Sequence, residues 1–364
     1  MMKSDPLFII EYVPASLRAD WAAQAGLTLE DVHRMIRMYM PRTYTDLSER
    51  FDVVVLANAN PAALGPKNVE MIAKGVEEGG VGLLMSGGWE SFGGVGTWSP
   101  PWGDTAVGRL LPVDNIIGIW VQDGHLVIDK PNHELIKSLP WDPRDQVLSQ
   151  PIRWHHNPVT LKEGALQLAH VTCRGGVVHP LMVTWELQDG TRVFALTSEI
   201  HALSWYGQAW KYDYDFGSNL MIYLDRRPVP QDVDLVHLTR TTMLRVQKRR
   251  SLLLSLVEFC ESFGANTRGI LLMLDDVDAQ ISRANQKYLQ LDYHGTIDAF
   301  REAESMLEGV EREAVKVKNR ALLWVYTIEW LVVTGTLMIC GFVLWSLMVR
   351  RRLYREVEVT RANV

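Results

Sequence analysis

Residues 51–57, FDVVVLA, and residues 81–88, VGLLMSGG, decide how the first part of this chain is read. Each is a short apolar run without polar alternation. A strand buried on both faces of a parallel sheet has that pattern, whereas a strand with one wet face alternates. Between the two runs, Asn68–Glu78 has helical spacing, is entered by Pro66 and is left through Gly79–Gly80, as a helix start and stop require. Upstream, Leu7–Val13 (LFIIEYV) reads as a strand. Leu27–Met40 reads as a helix with Val32, Ile36 and Met40 on one face. The order strand–helix–strand–helix–strand predicts a doubly wound α/β sheet. Ligands of such sheets bind beyond the carboxyl ends of the strands. The segment there is Ser86–Asp104, SGGWESFGGVGTWSPPWGD.

After residue 112 the texture turns strand-like, in Val113–Ile128, Ala165–Thr172, Leu181–Leu187 and Arg192–Thr197. Gln188-Asp189-Gly190-Thr191 carries an Asp-Gly hairpin signal between the last two. Tyr206–Leu224 reads as a closing helix. Its stretch Tyr212-Asp213-Tyr214-Asp215 is expected to cap the fold with tyrosines inside and carboxylates outside.

The chain has 364 residues, 47% of them hydrophobic and 22% charged, with a net charge of −6. That balance excludes a disordered or low-complexity chain and offers no basic face for nucleic acid. Three cysteines exclude a disulfide scaffold. The histidines have no ligand spacing: His155 and His156 are adjacent and in a strand point to opposite faces. No metal and no cofactor are expected.

Trp330–Val349, WLVVTGTLMICGFVLWSLMV, is 20 residues without a charge. As a helix it is roughly 30 Å long, the thickness of a hydrocarbon core. Trp324, Tyr326 and Trp330 lie near one end and Trp345 near the other, as aromatic residues at membrane interfaces do. The expectation is a single-pass anchor over residues 321–349, with the lipid bilayer as partner and residues 350–364 as a basic tail. Five arginines follow the uncharged run and four basic residues precede it, a slight lean towards a cytoplasmic tail. MMKSDPLFIIEYV, however, lacks a charged-then-apolar leader. That weighs more and places the globular head in the cytoplasm.

Between head and anchor, Leu274, Val277, Ile281, Ala284, Tyr288 and Leu291 alternate spacings of three and four, as do Phe300, Ala303, Leu307, Val310, Ala314, Val317 and Ala321. These are heptad seams. With His294-Gly295 as the break, they predict an antiparallel coiled-coil hairpin, and an earlier helix at Val233–Ser262 supplies a third member. The resulting stalk, residues 231–320, offers a surface for a protein partner or a second copy. Arg245, Lys248, Arg249 and Arg250 form a basic cluster, read as a solvated face within reach of anionic headgroups. The last seam runs in phase into the anchor, which implies one continuous helix.

Residues 1–230 resemble the class I glutamine amidotransferase-like superfamily. The stretches that carry the resemblance are FDVVVLANAN, GVEEGGVGLLMSGGWESFGG, GRLLPV, NHELIKSLPW, RVFALTSEIHALSW and the aromatic segment before LMIYL. The resemblance implies a flavodoxin-like sheet. It also implies a cysteine on a sharp strand–helix turn, where a thiolate helped by a histidine and a glutamate attacks a glutamine amide. Aligning VGLLMSGG with that turn puts Ser86 at the nucleophile position and Gly88 at the trailing glycine. Cys173, Cys260 and Cys340 lie elsewhere, so glutamine hydrolysis by that route is not expected.

Two functions follow. In the first, the protein is a membrane-anchored, non-catalytic module that binds a ligand or partner through Gly87, Gly88, Trp89, Glu90, Trp98 and Trp102. In the second, it is a hydrolase or amidotransferase-like enzyme using Ser86 as nucleophile, His201 as base and Glu199 beside it. Against the second, Leu84 stands where a G-x-S-x-G elbow needs its first glycine.

Overall fold

The computed structural model describes residues 5–24, 26–95, 99–118, 121, 123–152, 156–199 and 210–361. Two compact units divide it, Met1–Arg240 and Thr241–Val364, and the division falls inside a long helix.

The first unit is a mixed α/β head. Its elements are α1 (Ala19–Gln24), α2 (Leu29–Tyr39), α3 (Tyr44–Arg50), β1 (Val53–Ala57), α4 (Pro61–Leu64), α5 (Pro66–Glu77), β2 (Gly82–Gly87), α6 (Ala106–Leu110), β3 (Val113–Asn115), β4 (Gly124–Ile128), α7 (Glu134–Lys137), β5 (Val159–Leu161), β6 (Leu166–Cys173), β7 (Val178–Glu186), β8 (Arg192–Glu199) and α8 (Asp213–Leu224). One sheet has six strands in the order β1-β2-β8-β7-β6-β4, and β3 pairs with β5 separately. The first three strands of that order are parallel and the rest antiparallel. The sheet is therefore mixed. The split follows the connections, because the Asp-Gly turn joins β7 to β8 as a hairpin while α5 carries the crossover from β1 to β2.

Successive strand residues point to opposite faces, and both faces are covered. Leu84, Phe194, Leu196 and Met182 pack with Leu135 and Ile136 of α7 and Leu220, Tyr223 and Leu224 of α8. Leu83, Met85, Val193 and Ala195 pack with Leu47 of α3, Ile72 and Val76 of α5 and Val107 of α6. This double coverage is why β2, buried throughout, reads as an unbroken apolar run, whereas β1 at the sheet edge leaves Val55 and Ala57 exposed.

Three expectations are corrected. Leu7–Val13 is not a strand: it pairs with none, and Ile9 and Tyr12 stand in solvent. Val113–Ile128 is two separate strands that belong to different sheets. The stretch from Tyr212 to Asp215 buries its tyrosines, yet Asp215 is buried with them, because it meets His237 and Arg240 of the next helix.

The remaining helices are α9 (Val233–Ser262), α10 (Arg268–Leu289) and α11 (Tyr293–Arg361). In the second unit Arg245 pairs with Glu304 and Arg249 with Glu311, so α9 and α11 run parallel. Gln280 of α10 bonds Glu302, and Met273 lies against Gly309, so α10 runs antiparallel to α11. Leu274, Val277, Ile281, Ala284 and Tyr288 are buried opposite Phe300, Ala303, Leu307, Val310 and Ala314. The break comes at residues 290–292, so His294 and Gly295 lie in the first turn of α11 and Leu291 is exposed with φ 62°. The Arg245–Arg250 cluster is no bare solvated face, since Arg250 pairs with Asp278 as Arg245 and Arg249 pair with α11.

Among the described residues, one helix, α11, is long and apolar enough to cross a membrane: its most apolar window has a mean hydropathy of 2.1 and none of that window is buried.

Candidate functional site

Parallel pairing of β1, β2 and β8 brings three carboxyl ends to one edge of the head. Ala57 is opposite Ser86, and Ser86 opposite Leu196. The register then slips so that Gly87 meets Glu199. Into that slip the buried Ser86 hydroxyl donates to the Ser198 carbonyl at 3.2 Å. Gly87 is required by space, since a Cβ there would sit 2.2 Å from the Thr197 carbonyl oxygen. Gly88 has φ +144°, and a Cβ would sit 2.4 Å from Asn58 Oδ1. These contacts give the glycine pair a packing role at the turn.

Three asparagines that the sequence reading passed over organise the loop that follows. Asn157, just before β5, accepts the Gly88 N–H at 2.8 Å on Oδ1 and donates from Nδ2 to the Gly88 and Ser91 carbonyls at 3.0 and 3.3 Å. Its own N–H donates to the Thr197 carbonyl. Asn58, left-handed at φ 48°, accepts the Glu90 N–H at 2.9 Å. Asn60 then caps α4 through Ala62 and donates to Glu90 Oε1 at 2.6 Å. The Asn-Ala-Asn triplet after a buried strand was the available signal, because short polar side chains there can bond neighbouring backbone.

Glu90 is wholly buried, and so is Trp102, whose indole donates to the carbonyls of Ala59 at 2.9 Å and Glu90 at 3.1 Å. Phe92 is buried with φ 51°. The loop therefore folds back over the strand ends. Gly87, Gly88, Glu90 and Trp102 lie inside it, and Trp89 is half-buried with the Arg18 guanidinium 5.2 Å from its ring centre. A bond to Asp20 holds the Arg18 charge and raises its pKa.

Ser86 and Glu199 lie on neighbouring strands at this edge, with Glu199 in register with Gly87 and Ser86 with Leu196. His201 and Trp98 lie outside the described residues. His156, fully buried, bridges Ser198 and Val121 through its backbone. Three buried atoms here, Glu90 Oε2, Ser91 Oγ and Ser198 Oγ, have no hydrogen-bond partner among the described residues. The cysteines are distant in sequence from this edge: Cys173 ends β6 and Cys260 lies in α9, both with thiols pushed up by burial, and Cys340 is in the apolar run. Among the described residues no group of three His, Cys, Asp or Glu could hold a metal ion.

No family model, no curated protein and no solved structure matches the chain.

Proposed function

We propose that the protein is a membrane-anchored, non-catalytic module of the class I glutamine amidotransferase-like type, with a flavodoxin-like, doubly wound head that binds a ligand or partner at the strand-end edge. One observation carries the reading. The hydroxyl of Ser86, the residue that the resemblance sets at the position of the thiol in such enzymes, is buried and given to the Ser198 carbonyl. A nucleophile must reach its substrate and a base. A hydroxyl spent on a backbone acceptor inside the sheet does neither.

Binding is supported by the polar atoms left over. Buried polar groups are normally satisfied, and Glu90 Oε2, Ser91 Oγ and Ser198 Oγ have no partner among the described residues. The half-buried Trp89 with Arg18 at its face offers an aromatic and cationic rim. The exposed apolar run of α11 supports the anchor, with the head on the cytoplasmic side and the chain crossing once.

The test uses the full chain in detergent with a fluorophosphonate serine probe, comparing wild type with Ser86→Ala. Equal labelling and no ammonia from glutamine are expected. Labelling lost on Ser86→Ala would restore the hydrolase. For the anchor, the chain is expected to stay with membranes through carbonate washing, and a chain ended at Arg320 to be released. Protease access to the head in intact against permeabilised cells reads the side.

A further inference from the structure

The bundle of the second unit places a particular corner at a particular height along α11. Parallel pairs, Arg245 with Glu304 and Arg249 with Glu311, set the register between α9 and α11. Further along, Lys318 acts on the buried Cys260 thiol. Continuing that register, Phe263, the residue after the end of α9, lies level with about residues 321–325 of α11. Ala321 is the last buried side chain of α11 among the described residues, and Leu323 and Trp324 after it are exposed. The turn joining α9 to α10 thus sits where the apolar run begins.

The corner exposes an aromatic pair. Phe259 in the last turn of α9 and Phe263 just after its end stack edge to face at 4.9 Å and are 43% and 39% exposed. An exposed aromatic pair on a helix end is costly in water and favourable at a headgroup layer, where apolar area is buried at about 25 cal/mol per Å². Arg268 opens α10, and Lys318 and Arg320 lie on α11 at the same level, three basic groups beside the acidic Glu258 and Glu261 of α9. At about 1.5 Å per residue, Phe263 is roughly 10 Å from Trp330, within reach of the headgroup region.

We infer that the α9–α10 corner is a second membrane contact, in which Phe259 and Phe263 enter the headgroup layer of an anionic bilayer beside α11 while Arg268, Lys318 and Arg320 meet its phosphates. This rests on the reading of α11 as an anchor. With α11 alone the bundle would be held at one point and free to tilt. With the corner seated, two helices fix its angle to the membrane surface.

The experiment places a nitroxide spin label on the full chain in nanodiscs of mixed phosphatidylcholine and phosphatidylserine. Cys340→Ser removes the exposed thiol, and Cys173 and Cys260 are buried. Labels go one at a time on Ser262→Cys at the corner, Ser282→Cys in α10 and Val343→Cys in the apolar run. Accessibility to oxygen and to a water-soluble nickel chelate is then compared. Expected is a several-fold excess of oxygen over nickel at positions 262 and 343, and the reverse at 282. Adding Phe259→Ser and Phe263→Ser should return position 262 to the water-like value.

A water-like value at 262 with a lipid-like value at 343 overturns the corner and leaves the anchor standing. Low access to both reagents at 262 marks a protein cover such as a second copy and also overturns it, as does a lipid-like value that survives the double substitution. A water-like value at 343 overturns the anchor, and the corner with it.

Discussion

Arg240 and Asp215 form an ion pair closed off from solvent: Nη1 lies 3.1 Å from Oδ1, and the two side chains are 0% and 4% exposed. The same guanidinium nitrogen donates to Asn219 Oδ1 at 2.9 Å, and His237 Nδ1 lies 2.6 Å from the other Asp215 oxygen. Asn219 in turn donates to Ser138 Oγ. The network ties the start of α9 to α8 and to the turn after α7, and it explains why the head extends to Arg240.

Removing one partner of a buried pair strands the other. Arg240→Met is expected to cost the head about 3–5 kcal/mol. The double variant Arg240→Met with Asp215→Asn should recover part of the loss. Denaturant unfolding of the full chain in detergent, followed by near-ultraviolet circular dichroism of the cluster of Trp141, Trp210 and Phe216, reads both. An additive double variant would contradict the coupling.

At the strand-end edge, Gly87→Ala pushes a methyl to 2.2 Å from a backbone oxygen that cannot rotate away. Overpacking of that kind costs about 1–3 kcal/mol. Ser86→Ala only deletes one hydrogen bond, worth about 1 kcal/mol. The same unfolding curves should therefore rank Gly87→Ala as the more damaging of the two.

Asp213 at the start of α8 has its carboxyl raised from 3.8 to about 7 by burial. Between those values the folded state holds a proton that the unfolded state has released. Stability from this group is complete below 3.8 and declines as pH rises to about 7. Asp213→Asn should flatten that part of the stability–pH profile and raise stability above it. A wild-type profile rising steadily with pH over the window, unchanged in the variant, would count against the assignment.

In the bundle, Leu307→Ala removes a fully buried side chain and is expected to cost about 2–5 kcal/mol. Arg245→Ala breaks the pair with Glu304 at the surface, where Arg245 is 56% exposed, and should stay within about 1 kcal/mol. Helicity against temperature for the full chain distinguishes them.

The sequence alone determined the elements whose evidence is local. The run at β2 announced a buried parallel strand because both of its faces are covered, while the similar run at β1 is parallel but lies at the sheet edge with Val55 exposed. The seams around Ile281 and Leu307 announced packed helices because burial recurs with the helical period, and the run at Trp330–Val349 announced a helix that could span a bilayer because it has no polar face. Only the tertiary structure decided the rest. Leu7–Val13 has strand composition but found no strand to pair with. Asp215 looked like a surface carboxylate until Arg240, 25 residues on, came beside it. Asn157 carries no motif, because its role is to bond backbone of a distant segment, Gly88 and Ser91. The Phe259–Phe263 corner gained meaning only from the register of α9 on α11. Periodicity reports what a segment buries, and only packing of distant segments settles which partner it meets.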